Sequence, residues 1–422
     1  MQNEKVSESR LISLLQEQCK SNVKGRKVLC LCDSSTISLE NSKNRLIDYD
    51  GLGNVGKNQY DKQKLGFHIH PLLAYDRTTG VALGISEVEL IARPIKAARK
   101  KSERWKAKEI PIEEKESYKW LGPCVQSMQN ALCEASHVTF VMDREGDIMD
   151  VFDKLKNEKS DVLVRSMHNR KVINRQGQQS KIDDVLANQE AQCKIEVEVR
   201  GKKRKSRKAK LDVKYVECTL LWPKRQKVTQ KLHPEGITVS IIEIRETKHK
   251  GYKKEPPLVW KLITTEKVET AEQAVEQIEN YKQRWEIEVF FKLLKTDGFN
   301  IEATELTKGK AIRKLIILIM KASIKLIQLK AARSGNTDIK TAAVFNEREI
   351  ECLSKLNNKL QGQTKPQQNP YDRNHLSWAS WIIARLGGWK SYYDKNRPPG
   401  NKTFVWGLEK FESIMIGYNI LI

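Results

Sequence analysis

The sequence YKQRWEIEVFFKLLK, from Tyr281 to Lys295, has the polar and apolar spacing of an amphipathic helix. Four of its polar side chains share one side of that helix: Tyr281, Arg284, Glu288 and Lys295. At about 100° per residue, their directions fall within an arc of about 60°. The predicted face offers a carboxylate flanked by a phenol and two cations, which is more particular than the incidental ion pairs of a solvated helix.

The opposite side of the same helix carries Ile287, Phe290 and Leu294, which we expect to anchor it in a core. Two other carboxylates follow short apolar runs that are typical of buried strands. Asp33 follows KVLCLC and Asp143 follows HVTFVM. Taken alone, each aspartate would be interpreted as a turn or cap residue. Strand ends and a neighbouring helix can nevertheless hold Asp33, Asp143 and Glu288 at one point.

These motifs resemble those of bacterial DDE transposases of the insertion-sequence-four family, which move DNA by cut and paste. The Tyr-(2)-Arg-(3)-Glu-(6)-Lys spacing is the family signature, and Asp33 and Asp143 resemble its first two catalytic aspartates. Smaller similarities lie in EKESYKW, LVRSMHNRK and PLVWKLITTE. The resemblance runs from about residue 28 to about residue 332, and it is weaker around LGGW at 386–389.

The resemblance implies an α/β fold: a ribonuclease-H-like catalytic core, a β-rich insertion domain and a helical C-terminal region. We predict a short N-terminal remnant at 1–25 and the first part of the core at 26–160. The insertion follows at 161–266 and the helical part of the core at 267–335. A dimerisation region then occupies 336–422.

The implied reaction is cleavage at transposon ends and strand transfer into target DNA, with Asp33, Asp143 and Glu288 as catalytic and metal-binding residues. Phosphoryl transfer of this kind uses two divalent cations, and Mg²⁺ prefers hard oxygen ligands. Mg²⁺ is therefore the expected cofactor, with Mn²⁺ as a substitute. The predicted DNA contacts are Arg165, Trp260, Tyr281, Arg284, Lys292 and Lys295.

Within that set, Tyr281, Arg284 and Lys295 would hold phosphates beside the cleaved end, and Arg165 would be a further phosphate contact. Trp260 matches a tryptophan that stacks on a flipped base, although a strand tryptophan can equally belong to the core. Trp285 fits packing and DNA contact equally well. The expected active complex is a homodimer bound to two ends.

The composition agrees with a polyanionic partner. The chain has 422 residues, 76 Lys and Arg against 53 Asp and Glu, and a net charge of +23. Eight of those cations fall between Arg200 and Lys210, a run that would contact phosphates or form a solvated loop. No apolar stretch approaches the ~20 residues of a membrane span. Sparse cysteines without a Cys-x-x-Cys pair favour a reduced, cytoplasmic protein. The resemblance implies that it is bacterial and nucleoid-associated.

Two further motifs carry weaker signals. Gly51-Leu-Gly-Asn-Val-Gly56 matches the dinucleotide-binding spacing, but it lacks the flanking strand and helix, so we expect a flexible turn and no nucleotide cofactor. His68 and His70 point to the same face of a predicted strand. Without a third ligand nearby, we interpret them as half-buried strand residues rather than as a metal pair.

One departure from the family concerns end recognition. Only 32 residues precede Asp33, fewer than the family's N-terminal end-recognition domain needs. Either the chain begins inside the reading frame of its relatives, or end recognition lies elsewhere. The alternative function is therefore a shortened relative that does not transpose. Such a protein would bind DNA or full-length transposase and inhibit transposition.

Overall fold

The computed structural model describes residues 5–56, 64–93, 111–199, 206–223, 235–247, 256–335, 337–390 and 397–420. Its helices are α1 Glu8–Val23, α2 Gly122–Asn130, α3 Met149–Leu155, α4 Ile182–Ala187, α5 Ala271–Lys282, α6 Trp285–Lys295, α7 Gly309–Ala332, α8 Glu347–Leu360, α9 Leu376–Leu386 and α10 Asn401–Ile420. Its strands are β1 Lys27–Cys32, β2 Ser35–Ser38, β3 Gly53–Asn54, β4 Leu65–Asp76, β5 Ala82–Ile91, β6 His137–Met142, β7 Ser160–Arg165, β8 Lys171–Ile173, β9 Gln179–Lys181, β10 Cys193–Val199, β11 Arg207–Leu220, β12 Ile237–Glu246 and β13 Val259–Thr264.

The first half of the chain builds a mixed sheet in the order β5-β4-β1-β6-β7. The β4 strand is antiparallel to both β5 and β1, whereas β6 is parallel to β1 and to β7. Strands β1 and β6 have the bounds that the apolar runs predict. The architecture is mixed α/β, as expected.

The β-rich stretch continues the same sheet. Beyond β7 the order is β13-β12-β11-β8-β9, with β10 paired to β11. Strands β10, β11, β12 and β13 lie within this stretch, and β11 begins at Arg207, inside the basic run. The predicted insertion therefore shares its hydrogen-bonded ladder with the first half of the chain. Its boundaries stay a prediction.

Side-chain alternation gives the sheet two apolar faces. Leu29 and Leu31 of β1 belong to one buried cluster, and Val28 and Cys30 belong to another. The predicted anchors of α6, namely Ile287, Phe290 and Leu294, are fully buried in the cluster that contains Leu31. This packing places α6 over the face of β1 on which the odd-numbered residues lie.

A third core joins the end of α7 to the C-terminal helices. Helices α8, α9 and α10 all lie in this C-terminal part. No helix within the described ranges combines the length and apolar character that a membrane crossing needs.

Candidate active site

The two aspartates stand side by side at the ends of neighbouring parallel strands. Leu31 of β1 is in register with Val141 of β6. Asp33 lies two residues beyond Leu31, and Asp143 lies two residues beyond Val141. Because side chains alternate along a strand, each aspartate shares the face of the residue two positions before it. Both aspartates therefore project to the face covered by α6.

The strand ladder stops at Asp33 for a local reason. Cys32 of β1 pairs with Leu72 of β4, and Ser35 of β2 pairs with Ile69. The antiparallel register places Pro71 opposite Asp33. Proline has no N–H to donate to a ladder. Asp33 thus lies in a gap between two paired segments, and its carboxylate is available to other partners.

The third carboxylate comes from a helix that differs from the predicted one. Tyr281 lies in the last turn of α5, which ends at Lys282, and α6 starts at Trp285, so the prediction of one continuous helix is wrong. The backbone tightens at this point because the N–H groups of Arg284 and Glu286 bond three residues back, to the carbonyl groups of Tyr281 and Gln283. Arg284 precedes the first turn of α6, whereas Glu288 lies within it.

Arg284 connects two of the three carboxylates. Its Nη1 donates to Asp33 Oδ2 at 2.6 Å, and its Nη2 lies 3.5 Å from Glu288 Oε1. The side chains of Arg284 and Asp33 are 14% and 13% exposed, whereas that of Glu288 is 40% exposed. The contact is therefore shielded from water on the Asp33 side and open on the Glu288 side.

Electrostatics links Asp143 to the same group. The pKa of Asp33 is raised to about 6, mainly by burial; Arg284 acts to lower it, whereas the negative charges of Asp143 and Glu288 act to raise it. Burial also raises the pKa of Asp143. The sheet and α6 therefore bring three carboxyl groups close to one another. Two of them, Asp33 and Asp143, have raised pKa values, so they bind a proton at higher pH than a solvated aspartate does.

The predicted DNA contacts fall into two groups around these carboxylates. Arg165 lies over the Trp260 ring at 5.8 Å, and that ring meets Tyr281 edge-on at 6.2 Å. Lys295 is half-buried, and burial lowers its pKa while Glu302 and Glu288 raise it. Lys292 is exposed and pairs with Asp297 at 2.7 Å.

Trp260 is partly buried, so it presents some of its surface to solvent beside Arg165. Trp285 is 65% exposed. Most of the Trp285 side chain therefore lies outside the core. Both tryptophans have surface that is accessible to solvent, and their use in DNA binding stays a prediction.

The basic run is described only from residue 206 onward, and residues 200–205 lie outside the described part. Arg207 forms an ion pair with the buried Glu246, with Nη2 at 3.0 Å from Oε2. Lys208 lies 3.1 Å from Glu196. These two cations act within the β10-β11-β12 ladder, so the described end of the run is a strand rather than a solvated loop.

Gly53 and Asn54 form the short strand β3 against β4 instead of a flexible turn. The backbone of Gly53 packs so closely on Arg93 that an added Cβ would lie 2.2 Å from the Arg93 carbonyl oxygen. His68 and His70 lie on β4, where their Nδ1 atoms are hydrogen-bonded to the hydroxyl groups of Thr36 and Ser34 at 3.0 and 2.8 Å.

The sequence reading missed Asp147, whose side chain is fully buried. Its carboxylate accepts hydrogen bonds from the backbone N–H groups of Met167 and His168 at 2.8 and 3.0 Å, and from Arg170 Nε at 2.8 Å. Asp147 thereby ties the turn after Asp143 to the loop after Arg165. Its position in DREGDI was visible in the sequence, but its distant partners were not.

The carboxylates at this site are of the donor type that a hard cation prefers. Mg²⁺ is bound in proteins by one or two carboxylates together with waters and substrate phosphates. Asp33 and Asp143 supply such carboxylates, and the guanidinium of Arg284 already places a positive charge against Asp33. Among the described residues, no group of three or more His, Cys, Asp or Glu side chains is placed to hold a metal ion.

Residues 123–324 match the family model described as a transposase DDE domain. The match supports a DDE transposase. It spans just under half of the chain and includes Asp143 and Glu288, whereas Asp33 lies before it. The five predicted DNA contacts between residues 165 and 292, together with Lys295, also lie within the matched segment.

Proposed function

We propose that this chain is a cut-and-paste transposase of the insertion-sequence-four type, which cleaves DNA at transposon ends and joins them to target DNA. The observation that carries the proposal is the Arg284 contact with Asp33 and Glu288, beside Asp143. Arg284 contacts two of the three predicted carboxylates, and the charge of the third, Asp143, acts on the pKa of Asp33. The β5-β4-β1-β6-β7 order, with both aspartates on its adjacent inner strands, supports a ribonuclease-H-like core.

In the proposed reaction, a water oxygen attacks the phosphorus at the transposon end and the bond to the 3′-oxygen breaks. The water loses a proton and the leaving oxygen gains one. The freed 3′-hydroxyl then attacks a target phosphodiester, so one phosphodiester bond forms as another breaks. Bound divalent cations would activate the nucleophile and neutralise charge at phosphorus, and Asp33, Asp143 and Glu288 would hold them.

The remaining residues bind and orient DNA. Arg284 and Lys295 would contact phosphates on opposite sides of Glu288, and Tyr281 would add a donor. Arg165 lies over the Trp260 ring. An extruded base could stack on the part of that ring that is exposed to solvent. Lys292 would contribute only a surface charge, since it already pairs with Asp297.

We further propose that two protomers act together in a bacterial nucleoid. The described part of α10 exposes Trp406, Ile416 and Ile420 by 56%, 66% and 77%. Exposed apolar side chains on one helix are typical of an interaction surface. This supports the proposed dimerisation role of residues 336–422.

The deciding experiment uses DNA duplexes that carry the inverted repeats flanking the gene. Purified chain should nick them with Mg²⁺ or Mn²⁺, and Glu288→Gln should abolish nicking without loss of DNA binding. Glu279→Gln is the matched control, because Glu279 is exposed and pairs across one helical turn with Lys282. Undiminished nicking by Glu288→Gln would refute the assignment. Binding of pre-cut ends without strand transfer would favour the inhibitory alternative.

A further inference from the structure

The gap in the strand ladder at Asp33 raises the question of what fixes this aspartate. The residues opposite Asp33 and Ser34 in the antiparallel register are Pro71 and His70. Pro71 cannot donate a ladder hydrogen bond to the chain at Asp33, because it has no N–H. Side-chain contacts at this point add a constraint that the ladder does not supply in full.

Ser34 supplies it on one side. Its backbone N–H donates to Asp33 Oδ1 at 2.7 Å, which orients the carboxylate relative to its own main chain. The hydroxyl of Ser34 is in turn hydrogen-bonded to His70 Nδ1 at 2.8 Å. A chain of two hydrogen bonds therefore connects the imidazole on β4 with the carboxylate at the end of β1.

The imidazole itself has little freedom. His70 has no exposed surface, and its ring meets Trp120 edge-on at 5.0 Å. Its Nε2 atom has no hydrogen-bond partner among the described residues, so Nδ1 makes the directional contact. Burial, together with the charge of Lys119, lowers the pKa of His70 to about 3, so the ring stays neutral during the proposed reaction.

We propose that His70 is a positioning residue that holds Asp33 in its working orientation through Ser34. This inference rests on the proposed function, in which Asp33 is a catalytic carboxylate. Partners that orient a metal-ligating carboxylate typically change metal affinity or activity by about 10- to 100-fold when they are removed.

The same strand supplies a matched comparison. His68 lies two residues before His70, faces the same side, and contacts the hydroxyl of Thr36 at 3.0 Å through its own Nδ1. Thr36 belongs to the paired strand β2, whereas Ser34 lies in the gap. Loss of the His68 contact should therefore leave Asp33 in place.

The test compares His70→Asn, His70→Gln and His70→Ala with His68→Ala. An Asn amide can replace the Nδ1 contact, whereas a Gln amide extends toward the position of Nε2. Binding of Mn²⁺ is measured by titration calorimetry, and Mg²⁺ dependence by end cleavage. We expect Ala and Gln at position 70 to weaken Mn²⁺ binding about tenfold or more, and Asn to restore it to within about threefold. His68→Ala should bind Mn²⁺ as the wild type does.

Equal losses in His70→Asn and His70→Gln, or losses that simply follow the melting temperature, would overturn the proposal and leave a packing role. The two proposals fail separately. If the Mn²⁺ affinities of the wild type and the variants follow the expected order but the wild type cleaves no DNA, only the proposed function is refuted. Wild-type cleavage that all His70 variants match would refute the positioning role alone.

Discussion

Arg284 Nη1 donates to Asp33 Oδ2 at 2.6 Å across 251 residues of sequence. The contact joins the end of β1 to the start of α6 and brings the guanidinium within 3.5 Å of Glu288. Burial alone would lower the pKa of Arg284, but the Asp33 carboxylate raises it, so both partners stay charged near neutral pH. One cation thus reduces the repulsion among three neighbouring carboxyl groups.

Arg284→Lys should lower end cleavage by about 100-fold, the order found when one preorganised donor to a reacting group is removed. A lysine keeps the charge but cannot direct two donors at Asp33 and Glu288 together. Single-turnover cleavage of a labelled transposon end measures the loss. Lys282→Ala is the control, since Lys282 pairs with Glu279 within one helix. Wild-type cleavage by Arg284→Lys would show that charge alone suffices.

The raised pKa of Asp33 predicts a pH-dependent stability in metal-free protein. The folded chain keeps this proton up to about pH 6, whereas the unfolded chain releases it near the ordinary value of 3.8. The folded state therefore binds more protons in this window, so its stability falls as the pH rises through it. The contribution reaches about 3 kcal/mol at 1.36 kcal/mol per unit.

Asp33→Asn should remove that slope, because the amide resembles the protonated acid. Urea unfolding of metal-free wild type and Asp33→Asn at pH 4 and pH 7.5 gives the comparison. We expect the variant to gain stability relative to the wild type at the higher pH, less whatever the lost Arg284 contact contributes. A constant difference between the two proteins at both pH values would contradict the prediction.

Patterns within short stretches of the sequence predicted several elements of this structure. The runs before Asp33 and Asp143 predicted β1 and β6 with their observed bounds, because a short apolar run between polar residues indicates a buried strand. The burial of Ile287 and Phe290 likewise followed from helical spacing. Each of these features depends on residues that are close in sequence.

The features that sequence could not supply depend on distant partners. The break between α5 and α6 is a change of hydrogen bonding within a sequence that looks uniformly helical. Arg207 and Glu246 come together only because β11 pairs with β12. The strand at the described end of the basic run was not predicted for this reason, since charge density does not reveal a strand partner.

Asp147 also contacts residues that are distant in sequence, and the contribution of these contacts to stability can be tested. Asp147→Ala would leave the guanidinium of Arg170 buried without its carboxylate and two backbone N–H groups without their acceptor. Breaking a buried ion pair costs about 3–5 kcal/mol. Chemical denaturation should show a loss of this size. Glu158→Ala, at an exposed acidic residue in the turn after α3, should change the free energy of unfolding by less than about 0.5 kcal/mol.

A smaller loss would mean that the loop after Arg165 reorganises once Asp147 is removed. The double variant Asp147→Ala with Arg170→Met separates these outcomes, because it removes the buried charge together with its partner. It should recover part of the stability lost in the single variant. No recovery would indicate that the backbone N–H groups of Met167 and His168, rather than the ion pair, depend on Asp147.

Substitution of Trp285 distinguishes a role in DNA binding from a role in folding. Its side chain is 65% exposed at the start of α6, next to Arg284. Trp285→Ala should therefore change the free energy of unfolding by less than about 0.5 kcal/mol. Stacking on a base contributes about 1–3 kcal/mol, so affinity for a transposon end should fall by roughly 5- to 150-fold. Trp285→Phe keeps an aromatic face and should retain most of that affinity in a fluorescence anisotropy titration. Unchanged end affinity in Trp285→Ala would exclude a base contact, and loss of folding stability would show that the exposed ring packs against the protein after all.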